Sequence, residues 1–188
     1  MSKALLDRLQ QKFAHAVVST HQNHGNETAV IHAEDLVAVC EFLRDDAQCK
    51  MNMCIDVTAV DWPEREPRFD VVYHLYSLEK KHRLRLKVQV PLEKPNVPTV
   101  TSVWKGANWF ERETYDMYGI IFDGHPNLIR VLLYPEFRGH PLRKDYAIGK
   151  TQPLIENRQR NLDYGTHQGI AGDPTIVQIG GLRNKAHG

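Results

Sequence analysis

Residues 82–92 read HRLRLKVQVPL, and their alternation decides the kind of fold this chain can form. In an extended strand successive side chains point to opposite faces. Leu84, Leu86, Val88 and Val90 therefore share one face, and Arg83, Arg85, Lys87 and Gln89 the other. The first face reads as buried and the second as wet.

Working outward, RFDVVYHLYSLE (68–79) and MNMCIDVTAVDW (51–62) have the same richness in β-branched and aromatic residues, which marks strands. The short polar link EKKH (79–82) suits a hairpin. Further upstream, Leu5, Leu9, Phe13 and Val17 recur at spacings of four, predicting a helix over residues 3–18. THQNHGNE (20–27) reads as a polar loop and ETAVIH (27–32) as a short strand. AEDLVAVCEFLRDD (33–46) reads as a helix with Leu36, Val39, Cys40 and Leu43 inward. The expected class is α+β, a small and largely antiparallel sheet flanked by helices.

Downstream, PLEKPNVPTVTS (91–102) reads as a proline-rich connector, with Thr101 or Ser102 placed to cap a helix over 102–118 and Gly119 to end it. LIRVLLY (128–134) resembles a further strand. After Tyr146 apolar segments give way to Gln, Asn, Gly and Arg. A domain over 1–146 is thus expected, followed by an extended tail over 147–188 that embraces a partner.

Composition narrows the function. The 188 residues are 41% hydrophobic and 25% charged with a net charge of +1, giving no basic excess for nucleic acid. Cys40, Cys49 and Cys54 form no CxxC pair, so neither a disulfide framework nor a zinc ribbon is expected, and a reducing compartment is. MSKALLDRLQQ meets Asp7 and Arg8 too soon for a signal-peptide core, and no apolar run reaches roughly 18 residues.

Two stretches concentrate acids, bases and aromatics: NWFERETYDMY (108–118) and GHPLRKDY (139–146). In helical projection Val103, Ala107, Phe110, Thr114 and Met117 form the core stripe. Trp104, Asn108, Glu111, Tyr115 and Tyr118 form the adjoining one, leaving Lys105, Trp109, Arg112 and Asp116 outside. A helix greasy on so many sides calls for a second covering surface, the chain's own tail or another protein. Glu111, among aromatics, reads as a buried acceptor or a partner of arginine, or else as an acid of raised pKa. Arg112 and Asp116 stand at i,i+4 and are spaced to pair.

His125 and His140, each followed by proline, sit in extended backbone rather than on a shared helical face, so metal binding is not expected. GxSxG, GxGxxG and GxxxxGK[ST] are missing. Arg143, Lys144 and Asp145 suit a salt-bridge network that locks a loop, or an anion site. A stand-alone hydrolase using Glu111 or Glu113 with His125, and a free-standing binding module, remain as readings of another class.

The stretch 107–146 carries ERE (Glu111, Arg112, Glu113), then Asp116, Met117 and Tyr118, then Gly124-His125-Pro126 and a basic, apolar continuation through Arg130. It resembles the C subunits of proton-pumping NADH–quinone oxidoreductases, the 30 kDa subunit family of respiratory complex I. VTAVDW (57–62), RFDVVYHLYS (68–77), LRLKVQVP (84–91) and VPTVTSVWKGANW (97–109) resemble the preceding part of that family, so the likeness runs over about residues 28–153. Ile129 stands where the family usually has a basic residue, and YPEFRGHP is shorter than the common loop.

The resemblance implies a non-catalytic scaffold subunit of the peripheral arm, with no catalytic, cofactor-binding or metal-binding residues and no cofactor of its own. FMN, iron–sulfur clusters and quinone would lie in partner subunits, and the D and B subunits of complex I would be neighbours. The complex would place the chain peripherally on the cytoplasmic face of the bacterial inner membrane. Trp109, Glu111, Arg112, Glu113, Asp116, His125, Arg130, His140, Arg143, Lys144 and Asp145 are the residues expected to fix the loops and the subunit contact. The alternative is the equivalent subunit of a membrane-bound [NiFe] hydrogenase or of a quinone oxidoreductase fed by ferredoxin or a deazaflavin donor.

Overall fold

The alternating stretch forms the central strand of a five-stranded sheet in the computed structural model, which describes residues 3–153. In chain order the elements are α1 (Lys3–Lys12), β1 (Val17–Asn23), β2 (Asn26–Ile31), a 3-10 turn (Ala33–Asp35) and α2 (Leu36–Asp45). They continue with β3 (Met53–Asp61), β4 (Phe69–Ser77), β5 (His82–Val90), β6 (Asn96–Pro98), α3 (Ala107–Tyr118) and β7 (Ile121–Asp123). The sheet order is β1-β2-β5-β4-β3. Neighbours are antiparallel except β2 and β5, which run parallel, so the sheet is mixed though largely antiparallel.

Leu84, Leu86, Val88 and Val90 are all buried, as the alternation requires. They join Phe69, Val71, Tyr73 and Leu75 of β4 on the face that receives the helices. α2 contributes Leu36, Val39, Cys40 and Leu43, the four residues expected inward. Burying each such side chain stabilises the fold by about 1.5–3 kcal/mol. α1 adds Leu5, Leu6 and Leu9, and Arg8 is tied to Asp46 beyond α2.

Several boundaries differ from the sequence reading. The first helix stops at Lys12 and Val17 opens β1, because the β-branched run Val17-Val18-Ser19-Thr20 favours an extended chain. The polar stretch 20–27 is not a loop but the tip of a hairpin. His24 and Gly25 have φ of 50° and 78°, the two positive values that a two-residue hairpin turn needs. The connector contains β6, which pairs in parallel with β7.

α3 begins at Ala107 rather than 102, with Gly106 as N-cap and no side-chain cap. The preceding residues turn instead, Val103 and Trp104 both donating their amides to the Val100 carbonyl. Gly119 does end the helix, in the left-handed region at φ 74°. LIRVLLY (128–134) forms no strand, for a reason that lies in α3. The expected tail falls mostly outside the described residues, and its described part, 147–153, has neither helix nor strand.

Candidate functional site

α3 runs beside the edge strand β3, where the Thr114 hydroxyl donates to the Val57 carbonyl at 2.7 Å and so covers a strand edge. Nearby, the Trp104 indole donates to the Met51 carbonyl at 3.0 Å. With β3 occupying one side, two carboxylates of α3 are left fully buried: Glu111 and Asp116. A buried charge must be met by donors, and each carboxylate is met by backbone from a different part of the chain.

Glu111 reaches back toward the segment before its own helix. Its Oε1 accepts from the Val100 amide at 2.7 Å and its Oε2 from the Thr99 hydroxyl at 2.5 Å. It pairs with no arginine among the described residues. Burial dominates its titration and lifts its pKa to about 7, despite the hydrogen bonds from Thr99 and Val100 that favour the charged form. His125 Nε2 lies 3.9 Å from Oε2, both side chains being buried. The His125 Nδ1 accepts from the Asn127 amide at 3.0 Å, which leaves Nε2 to donate to the Asn108 carbonyl at 3.3 Å. Burial also lowers its pKa, so His125 is a neutral tie between α3 and the turn after β7.

Asp116, placed by helical projection on the outer side, is instead enclosed. Its Oδ1 accepts from Arg130 Nη1 at 2.6 Å, and its Oδ2 from the amides of Val131, Leu132 and Leu133 at 3.1, 2.9 and 2.9 Å. Three consecutive amides turned onto one oxygen cannot enter a ladder, which is why 128–134 is not a strand. Burial alone would raise the Asp116 pKa; the amides of Leu133 and Leu132, Arg130 and the Val131 amide outweigh it and hold it low. Arg112 does not pair with Asp116. It donates to the Ile129 and Arg130 carbonyls at 3.2 and 3.4 Å and lies 4.7 Å from the ring centre of Trp109.

The chain then returns over the C-terminus of α3. Arg130 also donates to the Phe137 and Gly139 carbonyls, each at 3.2 Å. His140 Nδ1 meets the Asp116 carbonyl at 3.0 Å, and Arg143 Nε donates to the Tyr118 carbonyl at 2.5 Å. Both satisfy carbonyls that a helix end leaves without partners.

A third carboxylate, Asp61 at the end of β3, accepts from Arg68 at 2.6 and 2.8 Å and from the Lys144 amide at 2.7 Å. Arg68 in turn donates to Asp145 at 2.9 Å. The Arg68 and Arg143 guanidiniums each lie 5.2 Å from the ring centre of buried Phe69. The basic cluster thus locks a loop, with Lys144 acting through its backbone. Glu113 is exposed and Trp109 is 61% exposed. Sequence reasoning missed Thr99, Asp61 and Arg68; the charge-dense DWPEREPRF (61–69) was the signal for the last two.

What the arrangement can do chemically is limited. The Glu111 and His125 side chains are both buried, so the hydrolase pairing presents no exposed acid or base among the described residues. Among the described residues, no group of three or more His, Cys, Asp and Glu is placed to share a metal ion. Burial pushes the Cys49 and Cys54 thiols up to about 12 and raises that of Cys40 as well, so the three stand as buried, protonated thiols. Among the described residues, no donor set is thus gathered for an iron–sulfur cluster.

The model of the respiratory-chain NADH dehydrogenase 30 kDa subunit matches residues 29–152, which include every side chain of the three carboxylate clusters. The chain belongs to that family. The C subunit of NADH-quinone oxidoreductase from Caulobacter vibrioides is 57% identical over 124 residues, 66% of this chain and 62% of the relative. Its counterpart in Xanthobacter autotrophicus is 49% identical over 150 residues, 79% and 71% of the two chains. The first match therefore spans less than two thirds of the relative's length.

Among solved structures, the trypsin-resistant fragment (1-134) of Nqo5 is 34% identical with a TM-score of 0.54, covering 67% of this chain and 98% of the fragment. A chain of the membrane-bound sulfane sulfur reductase, an archaeal respiratory membrane complex, reaches a TM-score of 0.67 at 22% identity over 83% of this chain and 96% of its own. That second likeness is one of fold alone. No helix among the described residues of this 30 kDa-family chain is long and apolar enough to cross a membrane.

Proposed function

We propose that this chain is a scaffold subunit of a proton-translocating NADH:quinone oxidoreductase and carries no catalytic or redox centre of its own. The observation that carries the reading is the use made of Glu111, Asp116 and Asp61. Each carboxylate is consumed by holding the chain's own backbone, so the charge density that resembles an active site builds a rigid surface. That surface leaves Trp109, Ile129, Leu132 and Leu142 exposed, a set of large apolar groups suited to a protein contact. Electron transfer from NADH through FMN and iron–sulfur clusters to quinone belongs, in this reading, to partner subunits.

The D and B subunits of the complex are the partners given to the α3 side. The ten other residues expected to fix this contact divide by geometry: Glu111, Arg112, Asp116, His125, Arg130, His140, Arg143, Lys144 and Asp145 shape the loops, while Glu113 joins Trp109 on the outer surface. The complex holds the chain peripherally at the cytoplasmic face of the membrane. The relatives at 57% and 49% identity are named for the NADH–quinone enzyme, which favours it over a hydrogenase or a ferredoxin- or deazaflavin-fed machine.

The test is affinity purification of the tagged chain after mild detergent extraction of membranes. The B and D subunits should accompany it with NADH:quinone activity, and Arg143→Ala should lower both. A lone soluble monomer would count against the assembly, and normal assembly and activity in Arg143→Ala would remove the role given to the loop.

A further inference from the structure

The sheet has a second face, and its construction is not that of a surface left to water. α1, α2 and α3 contribute to the core on the Leu84–Leu86–Val88–Val90 side. Among the described residues no helix packs on the opposite side, which carries Arg83, Arg85, Lys87 and Gln89. Val30 and Val72, the two cross-strand neighbours of Lys87, are nevertheless buried, though outside the core cluster. The aliphatic stem of a long basic side chain such as Lys87 can give an apolar neighbour this kind of cover.

The margin of this face breaks the polar pattern. Met53 and Val60 of β3 stand opposite Tyr76 and Asp70, on the outward side, and both are exposed. A register shift between Cys54 and Asp56 leaves Ile55 exposed too, and Trp62 follows the strand at 46% exposure. An exposed apolar row on an edge strand is a liability unless something covers it.

Trp62 is also held in place. Its indole donates to Asp70 Oδ2 at 3.3 Å, and the Arg65 guanidinium, itself bound to both Asp70 oxygens, lies 5.4 Å from the Trp62 ring centre. Lys87 and Gln89 donate to the same carboxylate at 3.4 and 3.2 Å. Four side chains thus converge on an aspartate that is itself buried. A tryptophan and an arginine fixed in this way lose little rotamer freedom on contact, which is how strong interface anchors are built.

At the other end, neither Arg83 nor Arg85 forms an ion pair among the described residues. Arg83 lies 5.6 Å from the Tyr76 ring centre. Asp56 stands across from His74 on the same face, and the face as a whole stays net positive.

Resting on the assembly reading above, we propose that this open sheet face is a second protein-docking surface, separate from the α3 side. Its occupant is a protein segment that lays an apolar strip on Met53, Val60 and Trp62 and sets acidic side chains against Arg83 and Arg85. The chain would then be clasped on two faces.

The full chain, assembled in its membrane complex, can carry the photocrosslinker p-benzoylphenylalanine at position 60 or, separately, at position 109. The expected adduct from position 60 is a protein segment containing Asp or Glu, different from the one reached from 109. Arg83→Glu with Arg85→Glu should cut its yield about tenfold or more, and reversing the acids of the captured segment should restore it. The proposal is overturned if position 60 gives no adduct while 109 does, or if its adduct is lipid or residues 154–188 of the same chain. Insensitivity to charge reversal also overturns it. If neither position reacts, the assembly reading fails first and takes this one with it.

Discussion

Asp116 and Arg130 lie 2.6 Å apart across the gap between α3 and the segment that follows it, and the pair is completed by the next three amides. One carboxylate therefore fixes a stretch of chain with no regular structure of its own. Asp116→Ala should destabilise the fold by about 3–5 kcal/mol, since it leaves a partly buried guanidinium and three amides without their acceptor. Asp116→Asn should cost less, because the amide oxygen can still take the three N–H groups while its NH2 faces Arg130. Denaturant unfolding of the two variants, with limited proteolysis over 128–146, checks both the size and the order. Equal losses would contradict the division of labour between the two oxygens.

Gly119 supplies the turn on which this packing depends. Its φ of 74° is poorly tolerated by residues with a Cβ, and an added Cβ would lie 2.6 Å from both Arg143 Nη2 and His140 Nε2. Gly119→Ala should lose about 1–3 kcal/mol through backbone strain, and it should also loosen Arg143 and His140. The second effect separates it from a simple helix-end defect. Proteolysis after Arg138 or Arg143 should quicken even in buffer where the variant is fully folded, and an unchanged cleavage rate would argue against the contact.

The sheet and the second helix were legible in the sequence because their signals are local. Alternation in 82–92 and the spacing of Leu36, Val39, Cys40 and Leu43 each reflect one face turned inward. The N-terminal hairpin was misread as the end of a helix and a polar loop, because a spacing of four through Val17 outweighed the signals it does carry, the run VVST and the pair His24-Gly25. Asp116 was not legible. Its environment comes from residues 14 to 17 positions further along, and a helical projection records only the helix's own faces. The start of α3 was missed for a related reason: Glu111 reaches back to Val100 from inside the helix, so Thr101 and Ser102 are not used as its cap.

Glu111 makes a prediction in pH. Its folded-state pKa, raised by burial to about 7, lies above the ordinary 4.5 expected of the unfolded chain. Between these values the folded protein holds a proton that the unfolded chain has released, so stability falls as pH rises through the window and levels off above it. The loss is on the order of 3 kcal/mol at most. Glu111→Gln can still accept from Val100 and donate to Thr99 but cannot ionise, so its stability should be flat in the same range by comparison. Urea midpoints measured from pH 4.5 to 8 should converge at the acid end, with the variant ahead at the alkaline end. Parallel curves would mean that Glu111 does not titrate there.

Trp109 offers the sharpest separation of folding from assembly. It is 61% exposed, its described ring contact is the Arg112 guanidinium at 4.7 Å, and exposed cation–π pairs contribute about 0.5–1 kcal/mol. Trp109→Glu should therefore cost no more than about 1 kcal/mol in the isolated chain. If the α3 side meets a partner subunit, the same change places a charge at the centre of an apolar contact, where truncated anchors cost about 2 kcal/mol or more. Unfolding midpoints close to wild type, together with loss of the chain from detergent-extracted complex, are the expected pair of results. Retention of the variant in the complex would show that this tryptophan faces water in the assembly, and would move the contact elsewhere on the subunit.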